Sequence, residues 1–298
     1  MQIDPPAHTP GAPAAAAATF SLDPETFKKV HPAEYHRRFL SQNVRSDGRP
    51  LDKFRKALVN VGSITTAHGS AMVRLGHTTV VCGIKAEVAE PRPATPKEGY
   101  LIPNVDLPAL CSPLFRPGPP GELAQTVSEY INRLVNSSKV LNLEDLCIAS
   151  GAAVWALHAD IVCLNYEGNI LDAALIALMA ALRNLRLPTA TYHESESTVH
   201  ATEHRPIALV LDHFPVAATF GTFDGHHILY DPTDEEEPLL GSQITIVVDG
   251  EEGMCGLLKP GGAAMTREVL ERCTRAARDR CADVSAAIDL ALAAQRID

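Results

Sequence analysis

An α+β fold, with two sheet-plus-helix halves and a long C-terminal helix, is what this 298-residue sequence predicts, and three observations carry it. Two sets of short strands rich in β-branched residues lie before residue 90 and after residue 205, each punctuated by glycine-bearing turns. Each set is followed by apolar residues at helical spacing. Between them, Cys163–Pro188 (CLNYEGNILDAALIALMAALRNLRLP) writes a strand, a turn and a strong helix without a break. Sheets and helices segregated in this way point to an α+β unit.

Taken in order, Met1–Thr19 is an Ala/Pro-rich stretch expected to be a disordered tail, without the basic start of a secretory signal. Asp23–Ser41 can form a short helix with Phe27, Val30, Tyr35 and Phe39 as apolar contacts. Ala57–Ile64, Ala71–Leu75 and Thr78–Val88 alternate as strands, and the Pro-rich Ala89–Val105 reads as a long loop. Leu123, Val127, Tyr130, Ile131, Leu134 and Val135 recur at helical spacing in Gly121–Asn136, with Pro119 and Pro120 just ahead. Ala152–Leu164 is a long strand, and Asp172–Asn184 is the helix that follows it.

The second half repeats the theme. Pro206–Leu211, Val216–Gly221 and His227–Asp231 read as strands, and Gln243–Asp249 turns through Gly250–Gly253 into Met254–Lys259. Thr266 is placed to cap a helix reaching about Gln295, with Val269, Leu270, Cys273, Ala277, Cys281, Val284 and Ile288 on its inner stripe. The expected boundaries are therefore a tail at 1–19, an N-terminal half at 20–190, a polar linker at 191–205 and a C-terminal half at 206–298.

Composition narrows the function. Apolar content of 46% is that of a soluble globular chain, and no stretch approaches the roughly 20 apolar residues of a membrane helix. The seven cysteines form no C-x-x-C pair and are odd in number, which reads as reduced core thiols in an intracellular protein. A formal charge of −10 argues against a free-standing nucleic-acid binder, because affinity for phosphate backbones comes from basic surface. Any RNA role must then rest on a local patch or on partner subunits. No G-x-S-x-G elbow, Walker-type loop or G-x-G-x-x-G follows a predicted strand. His193, His200 and His204, with Glu194, Glu196 and Glu203, do not match a compact zinc motif, so no metal site is assigned.

The chemistry of Cys163–Pro188 lies in what its turn omits. A strand entering a helix N-terminus is a ready anion site, because the first N–H groups are unpaired and the helix dipole favours negative charge. Here Gly168–Ala174 holds no basic or hydroxyl side chain, Leu171 stands at the turn, and Asp172 is expected to N-cap the helix and repel a phosphate.

Tyr166-Glu167-Gly168-Asn169-Ile170-Leu171-Asp172-Ala173-Ala174 resembles the RNase PH family, in which a D-G-G-T-R-T-A-like turn binds the inorganic phosphate used to cleave RNA. Arg45-Ser46-Asp47-Gly48-Arg49-Pro50 is similar to the family's opening R-x-D-G-R. Gly69-Ser70 with Gly76-His77-Thr78-Thr79-Val80 looks like its first hairpin. Leu110-Cys111-Ser112-Pro113 with Gly118-Pro119-Pro120-Gly121 looks like the loop found in the family's ring-forming members. The resemblance runs from about Phe20 to the last helix and implies an RNase PH-like fold.

In that match the phosphate-binding arginine falls on Leu171, and two aspartates used for metal binding and acid/base work fall on Glu237 and Gln243. A glutamine cannot serve as a charged metal ligand or general base. The run Asp234–Glu237 reads, on charge alone, as a solvated turn. Arginines lining the family's RNA groove on its first helix correspond to Glu129, Arg133 and Asn136, so only Arg133 remains, with a salt bridge to Glu129 as its other reading. Arg116, on a Pro/Gly loop, and Arg92 and Lys97, on the preceding long loop, are candidates for RNA contact, solvent exposure being the alternative for each.

The resemblance therefore implies a catalytically inactive, cofactor-free subunit of the hexameric RNA exosome ring, closest in pattern to its non-catalytic RNase PH-like members and their archaeal counterparts. Its implied partners are other RNase PH-like subunits, cap subunits, single-stranded RNA in the channel and an associated nuclease, with no membrane. Its implied location is the nucleus, including the nucleolus, and the cytoplasm. A phosphate-dependent 3′-to-5′ exoribonuclease, or a contributor to a composite site, is the alternative.

Overall fold

A computed structural model describes residues 23–193, 198–250 and 253–295, with the side chains of 203–206 excepted; the expected tail lies outside them. The chain opens with α1 (Pro24–Val30) and α2 (Pro32–Leu40), where one helix was expected. Pro32 explains the break: it has no N–H to continue α1, and it suits the first position of a new helix.

β1 (Ala57–Val61), β2 (Gly69–Leu75) and β3 (Thr78–Ala89) form an antiparallel meander. All but the last residue of β4 (Tyr100–Asp106) falls in the segment read as loop. It is the outermost strand of the first sheet, and Pro103 is tolerated there because an edge strand has a side that needs no ladder donor. α3 (Glu122–Ser137) buries Ala124, Val127, Tyr130, Ile131, Leu134 and Val135 and packs on β4. β5 (Cys147–Ala149) and β6 (Ala153–Asn165) complete a six-stranded sheet of order β1-β2-β3-β6-β4, with β5 on the end of β6 and β4 parallel to β6.

α4 (Ile170–Arg183) is buried from Ile170 through Leu182. A helix apolar all round can only be a core element. One side meets β2 and β3, and another meets β9 (Pro215–Phe223), a central strand of the second sheet. That four-stranded sheet has the order β10-β9-β11-β12, with β10 at His227–Tyr230, β11 at Ser242–Asp249 and β12 at Gly253–Leu258. α5 (Arg267–Gln295) covers β1, β9 and β11. Its buried stripe holds Cys273, Ala277, Cys281, Val284 and Ile288 as expected, and also Arg280. Thr266 Oγ1 accepts from the Val269 N–H at 3.4 Å.

The segment read as a polar linker carries most of a two-stranded antiparallel ribbon, β7 (Arg186–His193) with β8 (Thr198–Ala208). Of the strand expected at Pro206–Leu211 only the part up to Ala208 is strand, as the end of β8, and it belongs to the ribbon rather than to the second sheet. His193 and His200 meet edge to face with ring centroids 5.0 Å apart. Glu194 and Glu196 lie outside the described residues, as do the side chains of Glu203 and His204.

Candidate functional site

The turn between β6 and α4 is shaped by two left-handed residues, Gly168 (φ 80°) and Asn169 (φ 54°). A Cβ at Gly168 would lie 2.5 Å from the Asp234 nitrogen, so the turn packs directly against the acidic run and only glycine fits. Asn169, not Asp172, is the N-cap residue of α4. Asp172 lies within the first helical turn, and its carboxylate reaches across to β9, accepting from the Thr219 N–H at 2.9 Å and the Thr219 hydroxyl at 2.7 Å. The residue expected to cap the helix instead ties it to the second sheet.

An anion does occupy the start of α4, and it belongs to the chain. Glu237 accepts from the Asn169 N–H at 2.7 Å through one oxygen and from the Tyr166 hydroxyl at 2.8 Å through the other. Burial pushes the Glu237 carboxyl above the usual range, and the hydrogen bonds from Asn169 and Tyr166 oppose that shift. Burial, with the Glu237 charge alongside, raises the Tyr166 phenol as well. Each Glu237 oxygen is thus engaged by the segment that carries the turn.

The acidic run is not the solvated turn that its composition indicated. Asp231 is 1% exposed and Glu236 2%. Arg55 donates from its backbone N–H and its Nε to Asp231 Oδ2 at 2.9 and 2.8 Å, and from Nη2 to Oδ1 at 2.8 Å. Arg55 also holds the turn, donating to the Glu167 carbonyl at 2.9 Å and the Gly168 carbonyl at 3.3 Å. Arg45 pairs with Glu236 and donates to the carbonyls of Tyr230 at 2.6 Å and Asp231 at 3.0 Å. Only Glu235 is exposed, in an ion pair with Lys28 at 2.6 Å. Buried charge survives because each carboxylate has a guanidinium and further donors.

Leu171 is 8% exposed and belongs to the main apolar core. Gln243 is half-buried on β11, opposite Gly221 of β9. The structure thus joins Glu237 to the turn, while Leu171 and Gln243 serve packing and pairing. Arg133 is exposed and stacks over the Tyr130 ring at 5.6 Å, and among the described residues it has no ion pair with Glu129. Arg92 lies over Tyr100 at 5.2 Å, and Lys97 and Arg116 are exposed. The Arg116 loop does reach the turn. Phe115 packs edge to face on Tyr166 with centroids 5.2 Å apart, and the Tyr166 N–H donates to the Cys111 carbonyl at 3.1 Å.

Sequence reasoning missed the network formed by Arg55, Asn169 and Glu236. Arg45 was visible only as the first residue of the R-x-D-G-R run. Arg55 follows that run in an ordinary polar stretch and had no signal.

Comparison with known proteins gives a consistent picture. Residues 53–188 match the model of the 3′ exoribonuclease family, domain 1 (RNase PH), and residues 213–280 match that of domain 2. The chain is 42% identical over 262 residues to the exosome complex component rrp43 of Schizosaccharomyces pombe, covering 87% of this chain and 96% of that protein. It is 38% identical over 238 residues to the exosome complex component Rrp42 of Pyrococcus furiosus, covering 80% and 85%. A chain of the Archaeoglobus fulgidus exosome, solved with RNA bound to the active site, superposes with a TM-score of 0.75 at 32% identity over 85% of this chain and 96% of that one. Rice Rrp46 shares the fold, with a TM-score of 0.62 at 17% identity over 82% and 98%.

Proposed function

The chain belongs to the 3′ exoribonuclease (RNase PH) family, and from that premise we propose that it is a catalytically inactive subunit of an exosome ring. One observation carries the inactive reading: the N-terminus of α4, where the family resemblance puts phosphate, is filled by the chain's own Glu237, while Leu171 faces the core. A phosphate arriving there would meet a carboxylate instead of a guanidinium. The missing carboxylate at Gln243 points the same way, because a glutamine leaves the site without one of its two charged metal ligands or general bases, and Glu237 is tied to the turn.

The ring role is supported by relatives named as exosome complex components that align with nearly their full length. In such a ring the chain pairs with other RNase PH-like subunits and with cap subunits through two different faces, since a closed ring of unlike chains uses heterologous interfaces. Its contribution to RNA is to help form the channel leading to an associated nuclease, with Arg116, Arg92, Lys97 and Arg133 as the contacts. It works in the nucleus, including the nucleolus, and in the cytoplasm.

The test has two parts. The purified chain is incubated with single-stranded RNA, inorganic phosphate and Mg²⁺, and release of nucleoside diphosphates would overturn the inactive reading. Native mass spectrometry of the complex retrieved through a C-terminal tag tests the ring reading, and recovery without other RNase PH-like chains would overturn it.

A further inference from the structure

A further feature lies where α5 meets the segment leading into β1. Arg280 is 8% exposed, yet among the described residues its guanidinium has no hydrogen-bond or ion-pair partner and only stacks over the Phe54 ring at 5.2 Å. The other deeply buried arginines, Arg45 and Arg55, are fully paired. Asp231, Asp172 and Asp283 favour its charge from beyond ion-pair distance, but burial outweighs them and pulls the guanidinium below its ordinary value, so an anion in direct contact would stabilise it.

Arg280 lines an open groove of about 610 Å³ between α5 and the segment leading into β1. Arg272, Arg275, Lys53 and Lys56, all exposed, line it too. On α5, Arg272, Ala276, Arg280 and Asp283 follow one another at three- and four-residue steps, and Arg275 borders the same groove from the adjoining strip of the helix. Asp52, Asp279 and Asp283 sit among them. In a chain carrying a formal charge of −10, this groove keeps five cations against three carboxylates, leaving aside Arg55, whose charge is spent on Asp231.

The geometry points to a binding site for a small phosphate monoester, with the Arg280 guanidinium as its anchor and Arg272, Arg275, Lys53 and Lys56 around the dianion. A guanidinium fork matches phosphate oxygens two at a time, and it gains most where water is excluded. The surplus of two positive charges equals the charge of one monoester. Phe54 and Tyr230, whose rings lie 5.2 Å apart, give an aromatic wall for the organic part. The interspersed aspartates work against a long phosphate backbone laid along the helix, since each would face a phosphate. This site goes beyond the ring role and does not depend on it.

Isothermal titration calorimetry of the full chain with phenyl phosphate tests the proposal. The expected result is saturable one-to-one binding, tighter than for inorganic phosphate and weakened by salt. Arg280→Met should weaken it about tenfold or more, and the exposed Arg275→Ala should weaken it less. A thermal melt of Arg280→Met without ligand shows that the variant is folded, and Arg275→Ala keeps the test decisive if it is not. Absence of saturable binding to the parent chain overturns the proposal. So does unchanged affinity in both variants, or displacement by an RNA oligonucleotide with affinity that grows with its length.

Discussion

Asp172 and Asp231 accept hydrogen bonds from the same group, the Asn169 side-chain amide, at 2.8 and 2.6 Å. The two carboxyls nevertheless stand far apart in acidity. Burial and the neighbouring Asp231 charge push Asp172 up to about 6, against hydrogen bonds from Asn169 and Thr219. Burial pushes on Asp231 in the same direction, but Arg55 and Asn169 outweigh it and hold that carboxyl at about 2.

The split gives the two residues opposite dependences on pH. Asp231 contributes stability above its ordinary value of 3.8 and loses it as pH falls through about 2. Asp172 binds a proton more tightly in the fold than in the unfolded chain, so its contribution is present below 3.8 and lost as pH rises through about 6. Chemical denaturation of the parent chain and of Asp172→Asn across this range should show the parent's advantage shrinking by on the order of 1 to 3 kcal/mol between the two values. A constant gap would refute the assignment.

Glu236→Ala leaves Arg45, whose side chain is fully buried, with two carbonyls and no counter-ion. The expected loss is about 3 to 5 kcal/mol, measured by urea denaturation, which is what breaking one side of a buried pair costs. Glu235→Ala, one residue away on the exposed Lys28 pair, should cost about 1 kcal/mol or less.

Removing Glu237 strands two donors at once. Glu237→Ala and Tyr166→Phe, alone and together, should show coupling of about 1 kcal/mol or more in a double-mutant cycle, because the second change costs less once the first has been made. Strict additivity would mean that the Tyr166–Glu237 bond does not form in solution.

Gly168→Ala asks for a side chain where the Asp234 nitrogen already stands, at a positive φ. A loss of about 2 to 4 kcal/mol is expected, read as a lower melting temperature. Alanine at Arg92, Lys97, Arg116 or Arg133, all exposed, should change stability by no more than about 0.5 kcal/mol. In a reconstituted ring Arg116→Ala should reduce RNA protection, and intact protection would remove it from the channel.

Most elements were legible from periodicity because they bury one face, as α3 and α5 do, or are apolar throughout, as α4 is. β4 was hidden by Pro103 and by the Pro-rich run of turns ahead of it, which made the whole segment read as loop; its place at the sheet edge makes the proline harmless. The ribbon of β7 and β8 was hidden by polar composition, since its exposed faces do not alternate in the expected way. The acidic run was misread for a different reason. Its partners Arg45 and Arg55 lie 191 and 176 residues earlier in the chain, and no local pattern marks a charge that will be met from that distance. The losses at Leu171 and Gln243 were readable, but the carboxylate that fills the turn was not.

Helix α4 also sets the order in which the chain can mature. It leaves the ribosome after the strands of the first sheet, which can cover one of its sides at once. Its other side is apolar too, and the strand that covers it begins only at Pro215, beyond the whole β7–β8 ribbon. Until that strand is made, the nascent chain carries an uncovered oily surface along a finished helix, and synthesis that stalls in the ribbon would leave a product prone to aggregate.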